Sequence, residues 1–285
     1  MPNPNPPSIR TYPITIVDVF AERRLAGNQL AVVHTADSLS DEEMQSIALE
    51  TNFSETTFVT IQGDGWADVR IFTPAWELPF AGHPTIGTAA VLCEGQGDIV
   101  LNLGAGAVHV QHKNGLGWMT PPEVQFHGSL DVATAAELVG LSEDAISDDL
   151  PVELAEVGPK FVLIPVKELS QLKQAQLNGE LHQQLKMQGL GVQCVFLFTE
   201  DAYSAEADFA SRMFFESAGV REDPATGSAN TAFAAYLRKH RGNVGDVVVD
   251  QGVEINRPSR LYLQVQDTVK VGGKTQWVVQ GELRV

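Results

Sequence analysis

The sequence predicts a mixed α and β chain built from two similar units, and three observations carry that prediction. First, His83-Pro84-Thr85-Ile86-Gly87-Thr88-Ala89 has a counterpart in Asp223-Pro224-Ala225-Thr226-Gly227-Ser228-Ala229, 140 positions further on. Both read X-Pro-x-x-Gly-(Ser/Thr)-Ala. Second, an apolar run with the same seed precedes each, Arg70-Ile71-Phe72 and Arg212-Met213-Phe214, 142 positions apart. Two coincidences in the same order point to a duplicated strand–loop–helix unit. Third, 285 residues are many for one core and divide naturally into two of ordinary size.

Each repeated segment reads as a helix entrance. Asp223 suits the N-cap and Pro224 the first helical position, where its missing N–H costs nothing. The run Thr231 to Leu237 follows, and Arg238, Lys239, His240 and Arg241 close the helix before Gly242. Such an N-terminus offers free N–H donors and a partial positive charge, so it can hold a carboxylate or a phosphate. His83 and Asp223, at the two cap positions, can both exchange or share a proton.

Residues 1–11, rich in proline, are expected to form a disordered tail, and Ile14 to Phe20 the first strand. Gly27-Asn28 lies in a loop leading to a second strand, Leu30 to His34. Ser40 with Glu43 forms a capping box, which predicts a helix over 40–51. Asn52 to Thr60 is rich in β-branched and aromatic residues and reads as a strand. Phe53, Glu55, Thr57 and Val59 then share one face, with Glu55 the odd member of a largely apolar row. Glutamates at strand starts are commonly solvated. A carboxyl with apolar neighbours instead has a raised pKa and can act as an acid or base near neutrality. Short strands fill 97–122, and Pro121-Pro122 marks the crossing into a second unit. There a short helix at 131–139, a strand at 161–166 and a helix over 169–188 are expected. Strands at 247–249 and 261–265 follow, and a last one at 276–283 can return to the first unit.

Composition narrows the function. With 44% hydrophobic and 19% charged residues the chain is globular, and no apolar run approaches the ~20 residues that span a bilayer. The first residues lack the pattern of a signal peptide, so a cytoplasmic location is expected and a membrane partner is not. A net charge of −17 disfavours nucleic acid. Cys93 and Cys194 read as packed thiols without zinc-site spacing. His109 and His112 fall on opposite faces of a strand, which argues against a metal. Gly104-Ala105-Gly106 and Gly273-Lys274-Thr275 fail to complete nucleotide-binding fingerprints, and no Gly-x-Ser-x-Gly elbow exists. No metal and no cofactor are expected, and any chemistry rests on side chains.

Gly27-Asn28, the block Asn52 to Val59, Gly82-His83-Pro84-Thr85-x-Gly87 and the block Arg221 to Ala229 together resemble the signature of the PhzF-like isomerase family. The resemblance covers nearly the whole chain after the tail. It implies an α+β fold of the diaminopimelate epimerase type, with two similar domains, each a curved β-sheet around a central helix. The domains would span 12–122 and 123–274, strand 275–285 returning to the first, with the active site in the cleft between them. It also implies Glu55 as the catalytic glutamate, His83 and Asp223 as supporting groups, and Ser54, Gly82, Gly227 and Ser228 around the ligand. Racemases of this fold use two opposed cysteines, whose positions here resemble Gly82 and Asp223, so a two-thiol racemase is disfavoured. The expectation is a cofactor-independent isomerase acting on a small anionic metabolite, as a homodimer. An epimerase or hydro-lyase of the same fold, or a binding protein without catalysis, is the alternative.

Overall fold

The computed structural model describes residues 9–187, 190–216 and 220–285. Most of the tail expected at the start lies outside the described residues. Its last part does not behave as a tail, because Thr11 opens the strand Thr11–Val19 and Arg10 exchanges two 2.9 Å backbone hydrogen bonds with Val285.

The strands join into one continuous sheet whose two halves repeat each other. The first half runs, in spatial order, Thr275–Arg284, Thr11–Val19, Asn28–Val33, Glu55–Gly63, Trp66–Phe72, Gly97–Leu103, Gly106–Lys113 and Leu116–Met119. The second runs Gln125–Ser129, Glu153–Glu156, Lys160–Pro165, Cys194–Thr199, Phe209–Glu216, Gly245–Gln251, Ser259–Val265 and Val269–Gly273. In each half the third strand pairs in parallel with the fourth and the fifth with the sixth, and the other neighbours are antiparallel. The halves meet where Leu116–Met119 pairs with Val269–Gly273.

Each half curls around one helix, Gly82–Leu92 or Gly227–Arg241. Nine of the eleven residues of the first are buried, and the second is buried from Gly227 to Leu237. A helix buried all round needs small or apolar residues on every face. Gly87 shows the tightness, since a Cβ there would lie 2.6 Å from side-chain carbons of Leu30 and Val19. Helices on the outer face complete each half. Asp41–Thr51 covers Tyr12, Val33, Phe58 and Phe72. Val132–Leu138, Leu169–Gln174 and Gly179–Met187 cover Val162, Ile164, Val195 and Leu197.

The single helix expected over 169–188 is two. The Arg212 guanidinium takes the carbonyls of Leu172, Lys173 and Ala175 at 2.9–3.2 Å and ends the first helix. Asn178 then starts the second, its side chain accepting from the Leu181 N–H at 3.2 Å. A long-range side chain overrides the local periodicity here.

Candidate active site

The two central helices point their N-termini at each other. A Cβ on Gly82 would lie 2.9 Å from the Gly227 backbone, and one on Gly227 3.0 Å from Gly82 Cα. Only glycine at both positions allows this approach. The remaining site residues gather round the junction.

Glu55 opens the strand Glu55–Gly63, and its side chain is 16% exposed. Its Oε2 is buried without a hydrogen-bond partner among the described residues, 3.4 Å from Nδ1 of His83. His83 is the second residue of its helix and is buried. Asp223 ends the strand Val220–Asp223 and is also buried. Its Oδ1 accepts from the Ser54 hydroxyl at 3.1 Å and from Asn28 Nδ2 at 3.0 Å, and its Oδ2 from the Thr226 hydroxyl at 2.5 Å. Ser228 lies in the first turn of the second central helix, whose leading N–H groups have no intrahelical acceptor.

Neither His83 nor Asp223 is a helix cap. The first helix takes Ala81 as its N-cap. The second starts four residues after Asp223, with Thr226 as its N-cap. Gln251 is the cause. Its amide takes the Thr226 N–H at 3.3 Å and donates to the Asp223 carbonyl at 2.9 Å, which holds 223–226 out of the helix. The repeat is likewise displaced from the expected one. Arg70 pairs through two nitrogens with Glu77, and Arg212 does the same with Glu222. Glu77-Leu78-Pro79-Phe80-Ala81-Gly82 is therefore the counterpart of Glu222-Asp223-Pro224-Ala225-Thr226-Gly227, and Pro84 has no part in it.

Asn28 was not among the residues expected to act. Its buried side-chain nitrogen lies 3.0 Å from Asp223 Oδ1, 2.9 Å from the Ala225 carbonyl and 3.3 Å from His83 Nδ1. The two oxygen acceptors take both hydrogens of the amide nitrogen and fix the amide orientation, with His83 Nδ1 packed beside it. Gly27-Asn28 was visible in the sequence, but its partners lie 55 to 197 positions away.

Burial sets the protonation states. It pushes Glu55 up to about 8, with the nearby Asp223 charge adding to the rise. It lowers His83 to about 3, so the imidazole is neutral. It raises Asp223 to about 6, against the hydrogen bonds from Thr226, Ser54 and Asn28 that favour the anion. Near neutrality the site holds an anionic Asp223, a neutral His83 and a mostly protonated Glu55 that can still ionise. Two carboxyls whose environments separate their pKa values are suited to different roles. No group of three or more His, Cys, Asp or Glu side chains among the described residues is arranged to hold a metal ion.

The chain matches the phenazine biosynthesis-like protein family, PhzC-PhzF, over residues 17–282. It is 38% identical to an uncharacterized isomerase of Pasteurella multocida, over 96% of this chain and 94% of that one. To the trans-2,3-dihydro-3-hydroxyanthranilate isomerase of Pseudomonas aeruginosa it is 34% identical, over 88% and 89%. The crystal structure of a PhzF-family phenazine biosynthesis protein from Bacillus anthracis superposes with a TM-score of 0.86 at 25% identity, over 97% of this chain and all of that one. The fold is of the diaminopimelate epimerase type.

Proposed function

This chain belongs to the phenazine biosynthesis-like family, and we propose that it is a cofactor-independent isomerase that shifts a proton on a small carboxylated metabolite through Glu55. The observation that carries the reading is the Glu55 carboxyl, whose Oε2 is buried without a partner among the described residues and whose pKa is raised to about 8. Ionised Glu55 takes a proton from a substrate carbon, and the electron pair moves into the substrate's own unsaturated system. The same carboxyl then returns the proton to another carbon, so no external acid or oxidant is needed. His83, neutral and 3.4 Å away, walls the carboxyl without adding a charge that would lower its pKa. Anionic Asp223 accepts from substrate N–H or O–H groups. The two helix N-termini hold the substrate carboxylate. No described helix is long and apolar enough to cross a membrane. A cytoplasmic homodimer accompanies this reading.

The test is proton exchange in D2O followed by NMR. Trans-2,3-dihydro-3-hydroxyanthranilate, taken from the name of the Pseudomonas relative, is assayed beside a panel of small carboxylated metabolites. Wild type is expected to incorporate deuterium at carbon, and Glu55→Gln to lose at least ~10²–10⁴ of that rate while still binding. Exchange by Glu55→Gln at the wild-type rate would sink the mechanism. Inverted configuration would indicate an epimerase, loss of water a hydro-lyase, and binding without exchange a binding protein.

A further inference from the structure

The repeat has one more consequence for the cleft. Thr56 and Thr57 pair with Phe72 and Ile71 in the first half, as Val195 and Phe196 pair with Phe214 and Met213 in the second. With Phe72 equivalent to Phe214, the residue one step earlier on each strand is Glu55 in the first half and Cys194 in the second. Each also opens the parallel pairing of its half, Glu55 opposite Leu30 and Cys194 opposite Phe161.

Both side chains stand on the inner face of their half. Thr57, two residues after Glu55, reaches the Thr88 hydroxyl of the first central helix at 2.8 Å. Phe196, two residues after Cys194, lies with its ring centroid 5.6 Å from that of Phe233 on the second central helix. Alternation along a strand therefore turns Glu55 and Cys194 inward. Glu55 sits beside the start of its helix, next to His83, and the repeat puts Cys194 beside the start of the other. Gly82 and Gly227 touch, so the two helix starts beside which these positions sit adjoin. Two side chains there already ask for a ligand: the buried Nε2 of His83, itself 4% exposed, and Oε2 of Glu55, both without a partner among the described residues. Cys194 is in range of the same charges. Burial, then Asp223 and also Glu55, push its thiol up to about 12.

We propose that Cys194 forms the far wall of the substrate cleft, facing Glu55, and that as a neutral thiol it restricts proton transfer to the Glu55 side and sets how large a substrate fits. The proposal rests on the function given above. Cys194 is packed in the inner core, as expected from the sequence, and the proposal adds a second role to that packing. A substrate lying between positions 55 and 194 meets a proton carrier on one face and a small, non-ionising group on the other. That favours a shift along one face over inversion at a carbon.

Two measurements test it, both in the Cys93→Ser chain so that a single thiol remains. The S–H infrared band of Cys194, assigned by its loss in the near-isosteric Cys194→Ser, is followed between about pH 6 and 10. It is expected to shift with a midpoint near 8 as Glu55 ionises, and to stay fixed in Glu55→Gln. A band that ignores the Glu55 titration would place Cys194 away from the cleft and overturn the proposal. The second measurement uses trans-2,3-dihydro-3-hydroxyanthranilate as probe. Cys194→Ser should keep kcat within about threefold, and the bulkier Cys194→Met should raise KM at least about tenfold with kcat little changed. Loss of kcat by about a hundredfold in Cys194→Ser would make the thiol a second proton carrier, and an unchanged KM in Cys194→Met would remove the size role. If this probe is not turned over, a panel member that exchanges replaces it; if none exchanges, the proposed function fails and the infrared result decides the placement by itself.

Discussion

At the scale of single residues, Glu55 is held in a state that favours chemistry over stability. Its folded pKa of about 8 lies well above that of an exposed carboxyl, mainly because the carboxyl is buried and then because Asp223 is close. As the proposed base Glu55 must be ionised, so kcat/KM is expected to rise with pH through about 8. Asp223→Asn removes the like charge, lowers the Glu55 pKa and should move that rising limb to lower pH. A pH–rate profile of both proteins decides, and an unmoved or upward-moved limb would contradict the coupling. The same shift has a stability consequence. Between the ordinary carboxyl range and about pH 8 the native state holds a proton that the unfolded chain has lost, so stability falls as pH rises across that window. Glu55→Gln cannot ionise and escapes the fall. Its Tm advantage over wild type should therefore grow from about pH 4.5 to 8 and then level off. Thermal melts across that range check it, and a constant difference would mean that Glu55 is not raised.

At the scale of elements, the same arginine–glutamate pair occurs in two environments, which separates the interaction from its surroundings. Arg70 and Glu77 are 30% and 42% exposed, whereas Arg212 and Glu222 are 9% and 8% exposed. Arg70→Ala should cost about 1 kcal/mol or less. Arg212→Ala leaves Glu222 buried and uncompensated and also frees three helix carbonyls, so about 3–5 kcal/mol is expected. Denaturant melts of the two variants test the contrast, and equal costs would contradict it. These elements also show what was legible in the sequence. The capping box at Ser40 and Glu43 is a local signal, and it forms as read. That the chain is duplicated was visible, but its register was not. The Pro-x-x-Gly likeness lies five residues from the true counterpart, and only the two Arg–Glu pairings across adjacent strands reveal it. The break after Ala175 was hidden for the same reason, because Arg212 is 37 positions away. Glu55, His83 and Asp223 were identified from a family likeness. Their immediate partners Asn28, Thr226 and Gln251 were not: the Asn28 contact exists only after the halves assemble, the Gln251 contact only after its strand joins the second half of the sheet, and the Thr226 contact only because 223–226 stays out of the helix.

At the scale of the whole molecule, the site depends on a clamp between the halves. Arg257 belongs to the loop before the strand Ser259–Val265, yet its Nε donates to the Gly27 carbonyl at 2.8 Å. Its Nη2 reaches the Ala26 carbonyl and Asp18 Oδ1, each at 2.7 Å, and Gly27 N–H donates to the Pro258 carbonyl at 3.1 Å. Gly27 has φ +70°, and a Cβ there would fall 2.4 Å from the Val19 carbonyl oxygen, so the turn tolerates only glycine. The next residue is Asn28, which carries the clamp back across the molecule to Asp223. Arg257 is therefore expected to position Asn28 at the proposed site. Asp18 is almost fully buried, so Arg257→Met should destabilise the fold by about 3–5 kcal/mol by leaving that carboxylate unpaired. Adding Asp18→Asn removes the stranded charge and should return a large part of the loss. Stability and positioning then separate. The double variant regains Tm, but the Gly27 and Ala26 carbonyls still lack their donor, so kcat should stay below wild type with KM less affected. A double-mutant cycle read by both Tm and kcat tests this. If the double variant recovers kcat together with Tm, Arg257 merely neutralises Asp18 and the clamp has no hold on the site.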